Sequence, residues 1–178
     1  MVNEERSTAN APFLFLSLLF TCHPMIEKKE IIALSEEFLD GSSDYLVDVI
    51  IAPANLITVE IDNDEGVDLD RCIELSRYID SQLDREIEDF ELTVTSAGLT
   101  SPLKTKRQYT KYIDKEVEVL SKKGIKQFGI LKSSNDENFT LEISKMERPE
   151  GAKRKMEVKE DLTFAYDEIK YTKYKIRF

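Results

Sequence analysis

Thr95-Ser96-Ala97-Gly98-Leu99-Thr100-Ser101-Pro102-Leu103 divides the chain into two stretches of unlike chemistry. Residues 1–103 hold 6 Lys/Arg against 22 Asp/Glu, a net charge of −16. Residues 104–178 hold 19 against 13, a net of +6. A glycine followed closely by a proline breaks regular structure, and a charge asymmetry of this size marks two parts that face different surroundings. The expected organisation is a first domain over 25–101 and a second over 102–178.

Working back from the junction, Phe90-Glu91-Leu92-Thr93-Val94-Thr95 alternates as a strand. Before it, Leu69, Cys72, Ile73, Ser76, Ile79 and Leu83 fall on one face of a helix that Asp68 can cap. Tyr45–Ile51 and Leu56–Ile61, separated by Pro53-Ala54-Asn55, form a hairpin. Ile31, Ile32, Leu34, Phe38 and Leu39 mark an opening helix stopped at Gly41-Ser42-Ser43. The predicted order is α-β-β-α-β, a small sheet with two helices on one face. Working forward, Tyr109, Tyr112 and Ile113 suggest one short helical turn. Five strands follow at Glu116–Leu120, Gln127–Lys132, Phe139–Ile143, Met156–Tyr166 and Lys170–Phe178. So many short strands in so few residues predict a small β-barrel, whose closure would remove exposed edges. The fold class is α+β.

Composition narrows the chemistry. One histidine and two cysteines fall short of a four-ligand structural zinc site and of a disulfide framework. Cys72 has no histidine to activate it and reads as a small buried hydrophobe. The acidic loop Asp62-Asn63-Asp64-Glu65-Gly66-Val67-Asp68 fails the calcium-loop frame, with Gly66 fifth and Ile73 twelfth, and reads as a solvated loop with a helix cap. Asp48, within Val47–Ile51, is assigned to the polar face of its strand. No catalytic residue, metal or cofactor is expected. The apolar run 11–20 is too short to span a bilayer and lacks the flanks of a secretory signal. Residues 1–24 are expected to be an upstream or disordered extension, with Met25 opening the fold.

Two charged groups are candidates for binding. Lys104, Lys106, Arg107, Lys111, Lys122, Lys123 and Lys126, interleaved with Tyr109 and Tyr112, could contact phosphates, or could simply solubilise the surface. Asp62, Asp64, Glu65 and Asp68, in the strongly acidic half, would attract a basic protein. The insert Arg148–Lys155 reads as a flexible basic loop.

The junction resembles the Ser-Ser-Pro-Gly-Leu-Asp-Arg-Pro-Leu signature of the bacterial ribosome maturation factor RimP family. Tyr45–Val49, Ile57–Asp62, Val67–Arg77 and Phe128-Gly129-Ile130-Leu131 are similar to further landmarks of that family, in order, from about residue 26 to 178. Ala97 stands where the family has proline, and Thr100-Ser101 replace its Asp-Arg pair, so no contact of that arginine carries over. Ser96, Gly98, Leu99, Pro102 and Leu103 match, consistent with a conformational and packing role: glycine permits positive φ and proline fixes the exit. The resemblance implies a KH-like first domain, an Sm/SH3-like second domain and a cytoplasmic, non-enzymatic, monomeric factor with no membrane association. Its implied partners are the small (30S) ribosomal subunit precursor, a basic small-subunit ribosomal protein and 16S ribosomal RNA. A general RNA-binding module without a ribosomal role, and an enzyme built on a hidden carboxylate–lysine site, are the competing readings.

Overall fold

The computed structural model describes residues 26–147 and 156–176, which fold around two hydrophobic cores, one on each side of the junction. The expected extension 1–24 and the basic insert 148–155 lie outside the described residues.

The first part follows the expected order: α1 (Lys28–Leu39), β1 (Tyr45–Ala52), β2 (Leu56–Asp62), α2 (Leu69–Gln82) and β3 (Glu91–Ser96). β2 lies in the middle, antiparallel to β1 and parallel to β3. Strand alternation turns Val49, Ile57, Val59 and Ile61 toward the helices, where they pack with Ile31, Leu39, Leu75 and Ile79. The hairpin turn needs left-handed backbone at Ala54 and Asn55, with φ of 65° and 52°. Asn55 then donates to Glu88 Oε1 at 2.8 Å and to the Asp89 carbonyl at 3.0 Å, tying the turn to the start of β3.

α2 departs from its expected face. Cys72, Leu75 and Ile79 are buried, but Leu69 is 71% and Ile73 39% exposed. Among the described residues β3 is the edge of the sheet, and no further strand lies beyond it to cover that flank of the helix. Cys72 is a free, buried thiol whose pKa is pushed up by burial.

The second part comprises α3 (Lys106–Lys111) and strands β4 (Glu116–Ser121), β5 (Lys126–Ser134), β6 (Asn138–Glu147), β7 (Met156–Ala165) and β8 (Ile169–Tyr174). They form one antiparallel sheet in the order β7-β6-β5-β4-β8. Among the described residues no ladder joins β7 to β8; a 3-10 turn, Tyr166–Glu168, connects them. The outer edge of β8 is covered by the junction itself: Leu103 N donates to the Thr172 carbonyl at 2.8 Å, and Pro102 bridges Lys173. Gly129 lets β5 lie close against β6, since a Cβ there would collide with the Glu142 carbonyl and sit 2.8 Å from Leu141 Cγ. Phe139, wholly buried, centres the core, with the Tyr109 ring 5.0 Å and the Phe164 ring 5.7 Å from it. Tyr109 and Tyr112, expected among the basic surface residues, are therefore core residues, only 6% and 8% exposed.

The junction matches its expected role in part. Leu103 is buried in the second core and Pro102 leads into it. Gly98 does not have positive φ; among the described residues the glycines that do are Gly41, Gly66 and Gly124. Gly98 instead opens a tight turn, closed by Ser101 N donating to its carbonyl at 2.8 Å, in which a Cβ would crowd Ser101 Oγ. Leu99, at the tip of that turn, is 61% exposed and packs into neither core. Ser96 is the last residue of β3 and is exposed.

Candidate functional site

The charged residues that flank the junction converge on a seam between the two sheets. α3 has only six residues, too short to persist alone in water, and its N-terminus is held by a capping box. Thr105 Oγ1 accepts from Gln108 N at 3.4 Å. Gln108 Oε1 in turn accepts from Lys104 N at 2.8 Å and Thr105 N at 3.2 Å. With its carbonyl so occupied, the buried Gln108 side chain aims its amide at the first domain and donates to Asp62 Oδ2 at 3.0 Å. One helical turn on, Lys111 Nζ donates to Asp62 Oδ1 at 2.8 Å and to the Asn63 carbonyl at 2.6 Å. Arg107 reaches Asp64 Oδ2 and the Ser43 carbonyl, both at 2.9 Å, with its guanidinium 4.1 Å from the centre of the Tyr45 ring. Lys104 Nζ lies 2.9 Å from Asp48 Oδ2 and 2.7 Å from Glu60 Oε2.

Burial alone would raise the pKa of Asp62, which is 5% exposed, but hydrogen bonds from Lys111, Gln108 and Asn63 N outweigh it and hold the carboxyl below its ordinary value. Asp48 shows the same balance, with burial opposed by Lys104 and Lys28. Burial and the neighbouring Asp62 and Asp64 push the Tyr45 phenol upward; its hydroxyl makes no hydrogen bond.

The structure thus sorts the sequence candidates. Lys104, Arg107 and Lys111 from the basic group, and Asp62 and Asp64 from the acidic group, are paired with each other or with Asp48 and Glu60. Asp62 is a buried partner and not part of a solvated loop. Lys106 points away from the seam to Asp136 at 3.0 Å, and Lys126 pairs with Glu118 at 2.8 Å. Lys122 and Lys123 stand exposed in the β4–β5 turn without a carboxylate partner among the described residues. Glu65 is exposed, and Asp68 caps α2 by accepting from Asp70 N at 3.3 Å. Asp48, Glu60 and Gln108 are members of the seam that the charge count missed. Asp48 was legible as a charge on the polar face of a β-rich run, whereas Gln108 gave no signal beyond its place three residues after Thr105.

No cluster of three or more His, Cys, Asp or Glu side chains suited to hold a metal ion occurs among the described residues. No helix among them is long and apolar enough to cross a membrane. Fold and seam together define a two-part α+β protein that displays an acidic first half and a basic second half, joined through a short capped helix. Residues 36–100 match the family model of the RimP N-terminal domain. The chain is 45% identical over 146 residues to the ribosome maturation factor RimP of Porphyromonas gingivalis, an alignment spanning 82% of this chain and 96% of that protein. It is 36% identical over 152 residues to that of Christiangramia forsetii, covering 85% and 99%, and 38% identical over 125 residues to that of Flavobacterium psychrophilum, covering 70% and 80%. The chain belongs to the ribosome maturation factor RimP family.

Proposed function

We propose that this protein is a maturation factor for the small (30S) ribosomal subunit, which binds the immature subunit and assists incorporation of a basic ribosomal protein. The observation that carries this is the 45% identity to a named ribosome maturation factor across nearly that factor's whole length. In this reading the protein acts in the cytoplasm as a monomer and makes and breaks no bond. Binding lowers the free energy of one assembly intermediate and is lost when maturation removes the site. The first part is assigned a KH-like architecture and the second an Sm/SH3-like one.

The seam refines which charges are offered. With Asp62 and Asp64 engaged inside the molecule, Glu65 and Asp68, with the exposed carboxylates of α1 and α2, are left to meet a basic protein. With Lys104, Arg107 and Lys111 engaged at the seam, and Lys106 and Lys126 paired with Asp136 and Glu118, Lys122 and Lys123 are left for 16S RNA. The test uses the full chain with Glu65→Gln and Asp68→Asn, which remove charge yet keep a good helix cap. Binding to a purified basic small-subunit ribosomal protein should weaken several-fold and depend less steeply on salt. Unchanged affinity would overturn the acidic-surface assignment.

A further inference from the structure

α2 and β3 enclose a shallow groove lined by Leu69, Ile73, Arg77, Leu92 and Val94. Its volume is about 430 Å³ and it is open along its length, so it suits an extended chain better than an enclosed small molecule. Three observations converge on it. Leu69 and Ile73 are large apolar side chains left exposed on a helix whose opposite face is core. Among the described residues β3 is a sheet edge: Glu91 N donates to Asn55 O and Ala97 N to Ile61 O, so the intervening amides of Leu92, Val94 and Ser96 face away from β2. These amides recur every second residue, the repeat by which a further strand would pair. Finally, exposed carboxylates stand at both ends of the groove, Asp68 and Asp70 at the start of α2 and Asp89 and Glu91 at the start of β3, with Arg77 in the lining and Arg85 3.7 Å from Asp89 as the nearby cations.

We propose that this groove takes an extended basic segment of a partner protein as an added strand on β3. Main-chain bonds to the open edge supply affinity, alternate apolar side chains rest on Leu69 and Ile73, and basic side chains meet the carboxylates at either end. The negative rim disfavours RNA at the same place. The choice of a basic partner rests on the maturation reading above; the groove itself rests on geometry.

The probe is a blocked ten-residue peptide alternating lysine and valine, titrated into the full chain. Binding is expected, with at least tenfold loss in Leu69→Ser/Ile73→Ser and comparable loss when the peptide amides facing the edge are N-methylated. Both substituted positions are exposed, so the core is not disturbed. On the unsubstituted protein, hydrogen exchange of the Leu92, Val94 and Ser96 amides should slow when the peptide is bound. No binding, equal binding of a glutamate–valine peptide or a single-stranded RNA oligonucleotide, or indifference to N-methylation would overturn the proposal. Co-sedimentation of the same preparation with small subunits separates the two readings. Co-sedimentation without peptide binding removes the groove alone, whereas edge-dependent peptide binding without co-sedimentation supports the groove and removes the maturation role.

Discussion

Gln108 is the residue on which the seam turns, because one side chain serves as helix cap and as partner to a buried carboxylate. Gln108→Ala should cost about 1–3 kcal/mol, the penalty for leaving buried polar groups unpaired, read as a lowered urea midpoint. Asp62 makes a pH prediction. Its folded pKa lies below its ordinary value, so its stabilising effect is present above the unfolded pKa and fades as pH falls through the folded one. Asp62→Asn should therefore destabilise the protein at neutral pH by about 1–3 kcal/mol. Its deficit relative to the unsubstituted chain should shrink from roughly pH 5 downward; a deficit that stayed constant to low pH would contradict the pairing. Sequence alone placed Asp62 in a solvated loop, because composition reports that a residue is charged and not which opposite charge the fold delivers to it. Gly98 was misread for a related reason: a tight turn that crowds its Cβ position and a left-handed backbone both favour glycine.

At the scale of elements, hydrophobic period was a good guide. Val49, Ile57, Val59 and Ile61 alternate because one face of the first sheet is buried, and β4 and β6 were visible for the same reason, with Val117, Val119, Phe139, Leu141 and Ile143 buried; β7, exposed over residues 156–161, was legible only as a β-rich run. α2 was readable as a helix but not in its exact facing, since Leu69 and Ile73 match the period equally well whether a neighbouring strand covers them or not. Gly129→Ala should destabilise by about 1–3 kcal/mol through overpacking against β6, measurable by thermal unfolding. α3 depends on its cap and its ion pairs. Thr105→Ala should cost about 1 kcal/mol. A double-mutant cycle of Lys104→Ala and Glu60→Ala should give a coupling of about 0.2–1 kcal/mol that declines with added salt, as both side chains are partly exposed.

For the whole molecule, the charge split seen in the sequence is real but partly self-satisfied. The basic stretch next to the junction meets the acidic first sheet, so only the charges left unpaired there are offered outward. A half-chain ending at the junction would strip Asp62 of Gln108 and Lys111, so binding experiments belong to the intact protein. The family was legible from the junction and the strands around it, while the internal pairing required the fold. The measurement that tests the central claim most directly is sucrose-gradient sedimentation of the intact protein in a cell lysate at low and moderate salt. The account predicts co-migration with free small subunits, reduced at higher salt, and absence from complete ribosomes. Finding the protein only at the top of the gradient, even at low salt, would contradict it.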